Sequence, residues 1–365
     1  MLPALHAGGV ERGTLEIARS LVAQGHRSLV MSAGGRMVEQ LENEGSRHFT
    51  WAIGKKSLFT LRQVGPLRRF LQEQRVDILH LRSRMPAWVG YLAWRGMPAA
   101  TRPRLVTTVH GPYSINRYSA VMTRGERVIA VSDTIREYLL ANYAQLDPAR
   151  IHVVHRGVDP HEFSPRFRPA DAWRLRWYKQ YPRLEQARVL TLPARLTRWK
   201  GQVDFIELIA SLRASGLLVH GLIVGDTAAS KRHYRAELEQ RIRDRGLEDA
   251  IILTGHRSDL REIMASSDLV LSLSREPEAF GRTVPEALAL GIPVVGYAHG
   301  GVGEVLRAWY PQGQVLPGDT DALSHRVREL LLEPRPVPPQ TDFTLAAMQA
   351  STLELYRELL AEPRS

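Results

Sequence analysis

The stretch Ser274 to Glu304, SREPEAFGRTVPEALALGIPVVGYAHGGVGE, decides how the rest of the chain is read. Asp268 to Ser274 (DLVLSLS) is a short β-prone apolar run. Pro285 to Gly291 (PEALALG) has helical spacing, with Pro near its start and Gly as its stop. The loop between them therefore sits at a helix N-terminus. There the N–H groups of Gly281, Arg282 and Thr283 have no acceptors within the helix and share the positive end of its dipole, so they suit an anion such as phosphate. Glu278 precedes this seat and Glu286 lies inside the helix, two carboxylates placed to grip neutral hydroxyls on different parts of one ligand.

With seven residues between its glutamates, Glu278-AFGRTVP-Glu286 resembles the mark of the retaining family 4 glycosyltransferases of GT-B fold. The flanking EALALGIPVVG and HGGVGE strings strengthen the likeness. The resemblance implies an α/β protein of two Rossmann-like, doubly wound domains facing across a cleft. It also implies that Glu278 meets the donor sugar's hydroxyls, that Glu286 holds the ribose, and that the backbone between them holds the diphosphate. No metal ion is expected, because basic side chains neutralise the diphosphate in that family.

Composition sets the outer bounds. At 365 residues two domains are the natural expectation, and a hydrophobic share of 44% with 24% charged residues is ordinary for a globular chain. There is no apolar run near the roughly 18 residues that span a bilayer and no leader-like N-terminus, so a cytoplasmic protein is expected. Zero cysteine excludes disulfides and thiolate chemistry. The net charge of +11 is concentrated early: residues 1–165 carry 22 Lys and Arg against 13 Asp and Glu, and the remainder 27 against 25. Between 55 and 104 eleven basic residues face only Glu73 and Asp77. Such a patch suits anionic lipid headgroups or a phosphorylated acceptor, or is simply an arginine-rich surface. Charge alone also admits nucleic acid, but no recognised binding module accompanies it, and none is expected as a partner.

Along the chain, apolar β-prone runs alternate with helical stretches twice, which means two parallel sheets covered by helices. The expected division is an acceptor-binding domain over 1–165, a nucleotide-sugar domain over 166–342, and a final helix, 343–365, that returns to the first domain. The turn Arg156-Gly-Val-Asp159 resembles the family's hinge, with Arg156 in place of the usual Asn, and puts the boundary near Pro165. In the family, the loop matching Gly8-Gly9 follows a central first strand; here Met1 to Leu5 supply at most a stub of it, so the natural protein is expected to begin upstream.

Further candidates stand at strand ends, where open α/β sheets bind ligands. Arg195 and Lys200 match the family's diphosphate contacts, with Arg198 a rival for either place; their role would be to stabilise charge on the leaving nucleotide. His110 matches a histidine that contacts the transferred sugar. Gly225 is expected to line the nucleotide pocket and His256 and Arg257 to lie near the base, while Glu304 reads as a helix-end acid. Arg82 and Arg84 are candidate acceptor-phosphate contacts or plain surface residues. The chain lacks HExxH and GxxxxGK[ST] patterns. The expected activity is retaining transfer from a nucleotide sugar, a UDP-sugar by family habit, to a saccharide or lipid-linked glycan, such as lipopolysaccharide core, at the inner face of the membrane. A non-catalytic nucleotide-sugar-binding protein and a same-fold epimerase are the rivals.

Overall fold

Strands form where β-branched and apolar residues run without interruption, the pattern of sheets buried on both faces. The computed structural model describes residues 1–6, 8–226 and 232–363. Its strands are β1 Leu29–Ser32, β2 Arg47–Thr50, β3 Ile78–Leu81, β4 Arg104–Val109, β5 Arg127–Ala130, β6 Ile151–Val153, β7 Arg188–Pro193, β8 Val219–Val224, β9 Ile251–Gly255, β10 Leu269–Ser272, β11 Val294–Tyr297 and β12 Gln314–Val315. All named pairings are parallel. The chain divides into two compact units. Met1–Arg156 with the helix Leu345–Ala361 form one, and Gly157–Thr344 form the other.

In the second unit six strands run in the order β12-β11-β10-β7-β8-β9. Every residue of β8, β10 and β11 is buried, and helices such as Gln202–Ala214 and Gly300–Trp309 pack Phe205, Ile209, Val302 and Leu306 against them. The expected boundary at Pro165 falls inside this unit, because Val158 and Phe163 are buried in its core. The helix Asp171–Gln180 that follows seats Trp177 against Val189 and Leu222. A charged helix, Arg232–Asp244, follows β8.

The first unit's sheet is interrupted. β1 and β2 pair with each other, and β3-β4-β5-β6 form a separate ladder. Met1 to Pro3 bridge them at one end: the Leu2 N–H donates to the Met31 carbonyl at 3.1 Å, the Met1 amine to the His80 carbonyl at 2.8 Å, and the Arg82 N–H to the Met1 carbonyl at 3.1 Å. Beyond this stub lies a cavity of about 280 Å³, lined among others by Ile17, Leu21, Leu29, Ile78, Leu353 and Tyr356. The C-terminal helix buries Leu345, Met348, Leu355 and Leu359 with Ile17, Val106 and Ile129.

Candidate active site

In the second unit, β10 delivers the chain to the loop that precedes the helix Thr283–Ala289. Gly281 turns there with φ +73°, and a Cβ on it would lie 2.4 Å from Val302, so only glycine fits the turn. The adjoining Gly301 N–H donates to the Glu278 carbonyl at 2.8 Å, and His299 Nε2 bonds the Ser274 carbonyl at 2.7 Å. The HGGVGE string thus closes directly onto the loop that carries Glu278.

Glu278 does not stand alone. Its Oε2 is 2.6 Å from Lys200 Nζ in a pair that is mostly buried, and its other oxygen accepts from the Ser274 hydroxyl. Lys200 reaches it because Gly201, at φ +76°, lets the loop after β7 press against Leu273, where a Cβ would come within 2.0 Å of the carbonyl. Lys200 also lies 4.3 Å over the Trp199 ring. Glu286 is buried and paired through Oε1 with Arg282 Nε at 2.9 Å, one helical turn away. Thr283 begins the helix.

Arg195 is exposed, and its carbonyl accepts from the buried Gln202 at 2.9 Å. Arg198, the rival, is committed elsewhere: both oxygens of Glu237 accept from it at 2.7 Å on the unit's surface. Gly225 approaches the Ala194 carbonyl so closely that a Cβ would lie 2.1 Å away, and its N–H donates to the Gly255 carbonyl at 3.0 Å. His256 is exposed. The Arg257 guanidinium is bound by Asp259 at 2.6 and 2.8 Å and lies 5.4 Å over Trp177. The hydrogen bonds to Asp259 raise its pKa further, so it serves as a fixed wall of this loop.

In the first unit, Gly8 is the N-cap of the helix Gly9–Ala23, with φ +140°. His110 directly follows β4, and Arg156 Nη2 lies 2.5 Å from its Nδ1. A guanidinium only donates, so Nδ1 accepts and the imidazole proton sits on Nε2. Burial first, then the Arg156 and Arg82 cations and neighbouring His80, hold the His110 pKa well below the ordinary histidine value. Arg82 is only 4% exposed, so of its two expected readings the plain surface residue does not hold. Arg84 is partly exposed, 4.8 Å from the Tyr113 ring and 5.5 Å from the Tyr118 ring. Arg156 was legible only as a departure from the hinge pattern; its partnership with His110 comes from the fold.

No helix among the described residues is long and apolar enough to cross a membrane. Residues 7–162 match Glycosyltransferase Family 4, and residues 174–347 match Glycosyl transferases group 1. A glycosyltransferase from Rickettsia africae is 29% identical and superposes with a TM-score of 0.84, covering 99% of this chain and 98% of that one. Anabaena HepE, solved with UDP, is 22% identical with a TM-score of 0.80 over 98% of this chain and 99% of its own. The N-acetyl-alpha-D-glucosaminyl L-malate synthase of Bacillus anthracis is 25% identical over 345 residues, which are 90% of this chain and 85% of the relative.

Proposed function

The chain belongs to the retaining family 4 glycosyltransferases of GT-B fold, and we propose that it carries a sugar from a UDP-sugar to an anionic, lipid-linked glycan of the cell envelope, of the lipopolysaccharide-core kind, without a metal ion. The observation that carries the donor half is the Lys200–Glu278 pair beside the Gly281 turn. A diphosphate on the N–H groups of 281–283 draws Lys200 toward itself, and the donor sugar's hydroxyls replace Lys200 on Glu278. One ion pair is exchanged for two ligand contacts. Glu286, held by Arg282, presents a carboxylate of fixed orientation to the ribose.

In the reaction the acceptor hydroxyl oxygen forms a bond to the anomeric carbon on the face the nucleotide leaves. The carbon–oxygen bond to the β-phosphate breaks, its electron pair goes to the leaving diphosphate, and a phosphate oxygen takes the hydroxyl proton. Negative charge grows on the diphosphate as this happens. Lys200 and the exposed Arg195 supply the opposing charge, which replaces a metal. His110 enters as a neutral imidazole with its proton on Nε2, suited to hydrogen-bond a sugar hydroxyl but not to act as a cation.

The acceptor half rests on charge: the first 165 residues hold 22 basic and 13 acidic residues. It is supported by the Bacillus relative, whose name places L-malate, an anion, in its product. The test is transfer from a panel of nucleotide sugars to lipid-linked core glycans, with and without a chelator. Transfer from a UDP-sugar that survives chelation is expected. Donor hydrolysis confined to another base, or activity abolished by the chelator, would overturn the corresponding part.

A further inference from the structure

Two large apolar side chains stand almost fully in solvent on one short turn: Leu58 is 84% and Phe59 70% exposed. The turn is built to hold them out. Ser57 caps the 3₁₀ helix Leu58–Gln63 by accepting from the Phe59 N–H at 3.2 Å, and the buried Thr60 hydroxyl donates to the Lys55 carbonyl at 2.8 Å. Cations surround the pair. Lys55 and Lys56 precede it, and Arg62 lies 4.7 Å over the Phe59 ring. Lys56 lies 4.8 Å over Tyr118, which ties the turn to the loop carrying Ile115, 61% exposed, and Arg117.

The surrounding sequence is almost free of acid. From Gly45 to Gly125 there are 14 Lys and Arg against Glu73 and Asp77. Protruding apolar tips in a ring of cations match one environment, an interface with hydrocarbon below and phosphate headgroups above. Two or three such tips cover far less than the roughly 1,200 Å² that a specific protein complex buries. We infer that the Lys55–Arg62 turn, with Ile115 beside it, is a membrane-docking element that inserts Leu58 and Phe59 into an anionic bilayer surface. Its purpose rests on the membrane-linked acceptor proposed above; its physical chemistry does not.

Flotation with vesicles of phosphatidylcholine, with and without phosphatidylglycerol, tests it on the whole chain. The unaltered protein is expected to bind only the anionic vesicles. Leu58→Ser with Phe59→Ser should weaken that binding about ten-fold or more, the scale of losing buried apolar side chains. Lys55→Glu with Lys56→Glu should weaken it at least as much at low salt, each basic residue contributing about five-fold. High salt should weaken binding of the unaltered protein steeply and erase the effect of the charge reversals. UDP affinity by calorimetry should be unchanged in both variants.

Absent vesicle binding, or equal binding by the serine variant, overturns the inference. So does loss of self-association or of a protein partner in that variant without loss of vesicle binding. If vesicles are bound but no lipid-linked glycan accepts sugar, the acceptor reading fails and the docking element stands. If sugar is transferred to lipid-linked glycans while vesicles are ignored, the docking inference fails and the acceptor reading stands.

Discussion

The two sheets of this protein solve the same problem with different completeness. In the second unit six parallel strands run without a break, and the loops from β7 and β10 at its centre place Lys200 against Glu278. In the first, two strands and four strands form separate ladders, with Met1 to Pro3 hydrogen-bonded between them beside a cavity of about 280 Å³. A site that must hold two charges 2.6 Å apart stands on the closed sheet. The first unit instead holds His80 and His110 close to the Arg82 cation. Chemistry and stability are therefore expected to separate under mutation and under acid.

The largest separation is in rate. Lys200→Ala should lower turnover about 10²- to 10³-fold, the usual loss for one preorganised group facing transition-state charge, with little change in the melting of either unit. Turnover within a few-fold of the unaltered enzyme would break the assignment.

Acid should act in the opposite way, on the first unit. His80 and His110 are held well below 6.5, by burial first and then by neighbouring cations, Arg82 for the one and Arg156 and Arg82 for the other. Each binds its proton later in the folded state than in the unfolded one, so stability falls as pH drops below 6.5, by up to about 1.4 kcal/mol per pH unit for each. In the second unit His220 is lowered by burial too, so a smaller acid loss is expected there. Calorimetric melts from pH 8 to 5 should move the first unit's transition down more than the second's. Equal shifts in both units would erase the contrast.

A smaller effect sharpens it at single residues. A strand residue turns its N–H and C=O to the same side, and the Met31 and His80 carbonyls already accept from Leu2 and the Met1 amine at the edge of the cavity. Their amides should exchange at least about ten-fold faster than those of Leu222 and Ile223 in β8. Comparable protection would show that the interruption is energetically silent. The smallest effect expected is at Arg198: its Glu237 pair is exposed, so Arg198→Ala should change stability by no more than about 1 kcal/mol and leave turnover unaltered.

What could be read from the sequence follows the same physics. β8, Val219–Val224, is wholly buried, and its apolar run announces it; β2, Arg47–Thr50, is an exposed or half-buried RHFT edge with no such run, and it was not foreseen. The helices Arg84–Arg95 and Thr320–Leu332 were likewise not foreseen, although Val89 and Ala93 in the first and Leu323, Val327 and Leu330 in the second form buried stripes. The glutamate spacing and its glycines were visible because one continuous loop carries them. The Lys200–Glu278 and His110–Arg156 pairs were not, since each joins residues far apart in the chain through contacts that only the folded sheet creates. The burial of Arg82 is likewise invisible in the sequence, because charge usually means exposure, whereas this strand end is buried.

The exchange of the Lys200–Glu278 pair for the donor is tested most directly by titration calorimetry of Glu278→Gln with UDP and with the UDP-sugar. Removing the carboxylate releases Lys200 toward the diphosphate and takes a partner from the sugar. The account predicts that UDP binds as tightly as before or tighter, while the UDP-sugar loses the extra affinity its sugar confers. Equal weakening of both ligands, or no change in either, would contradict it.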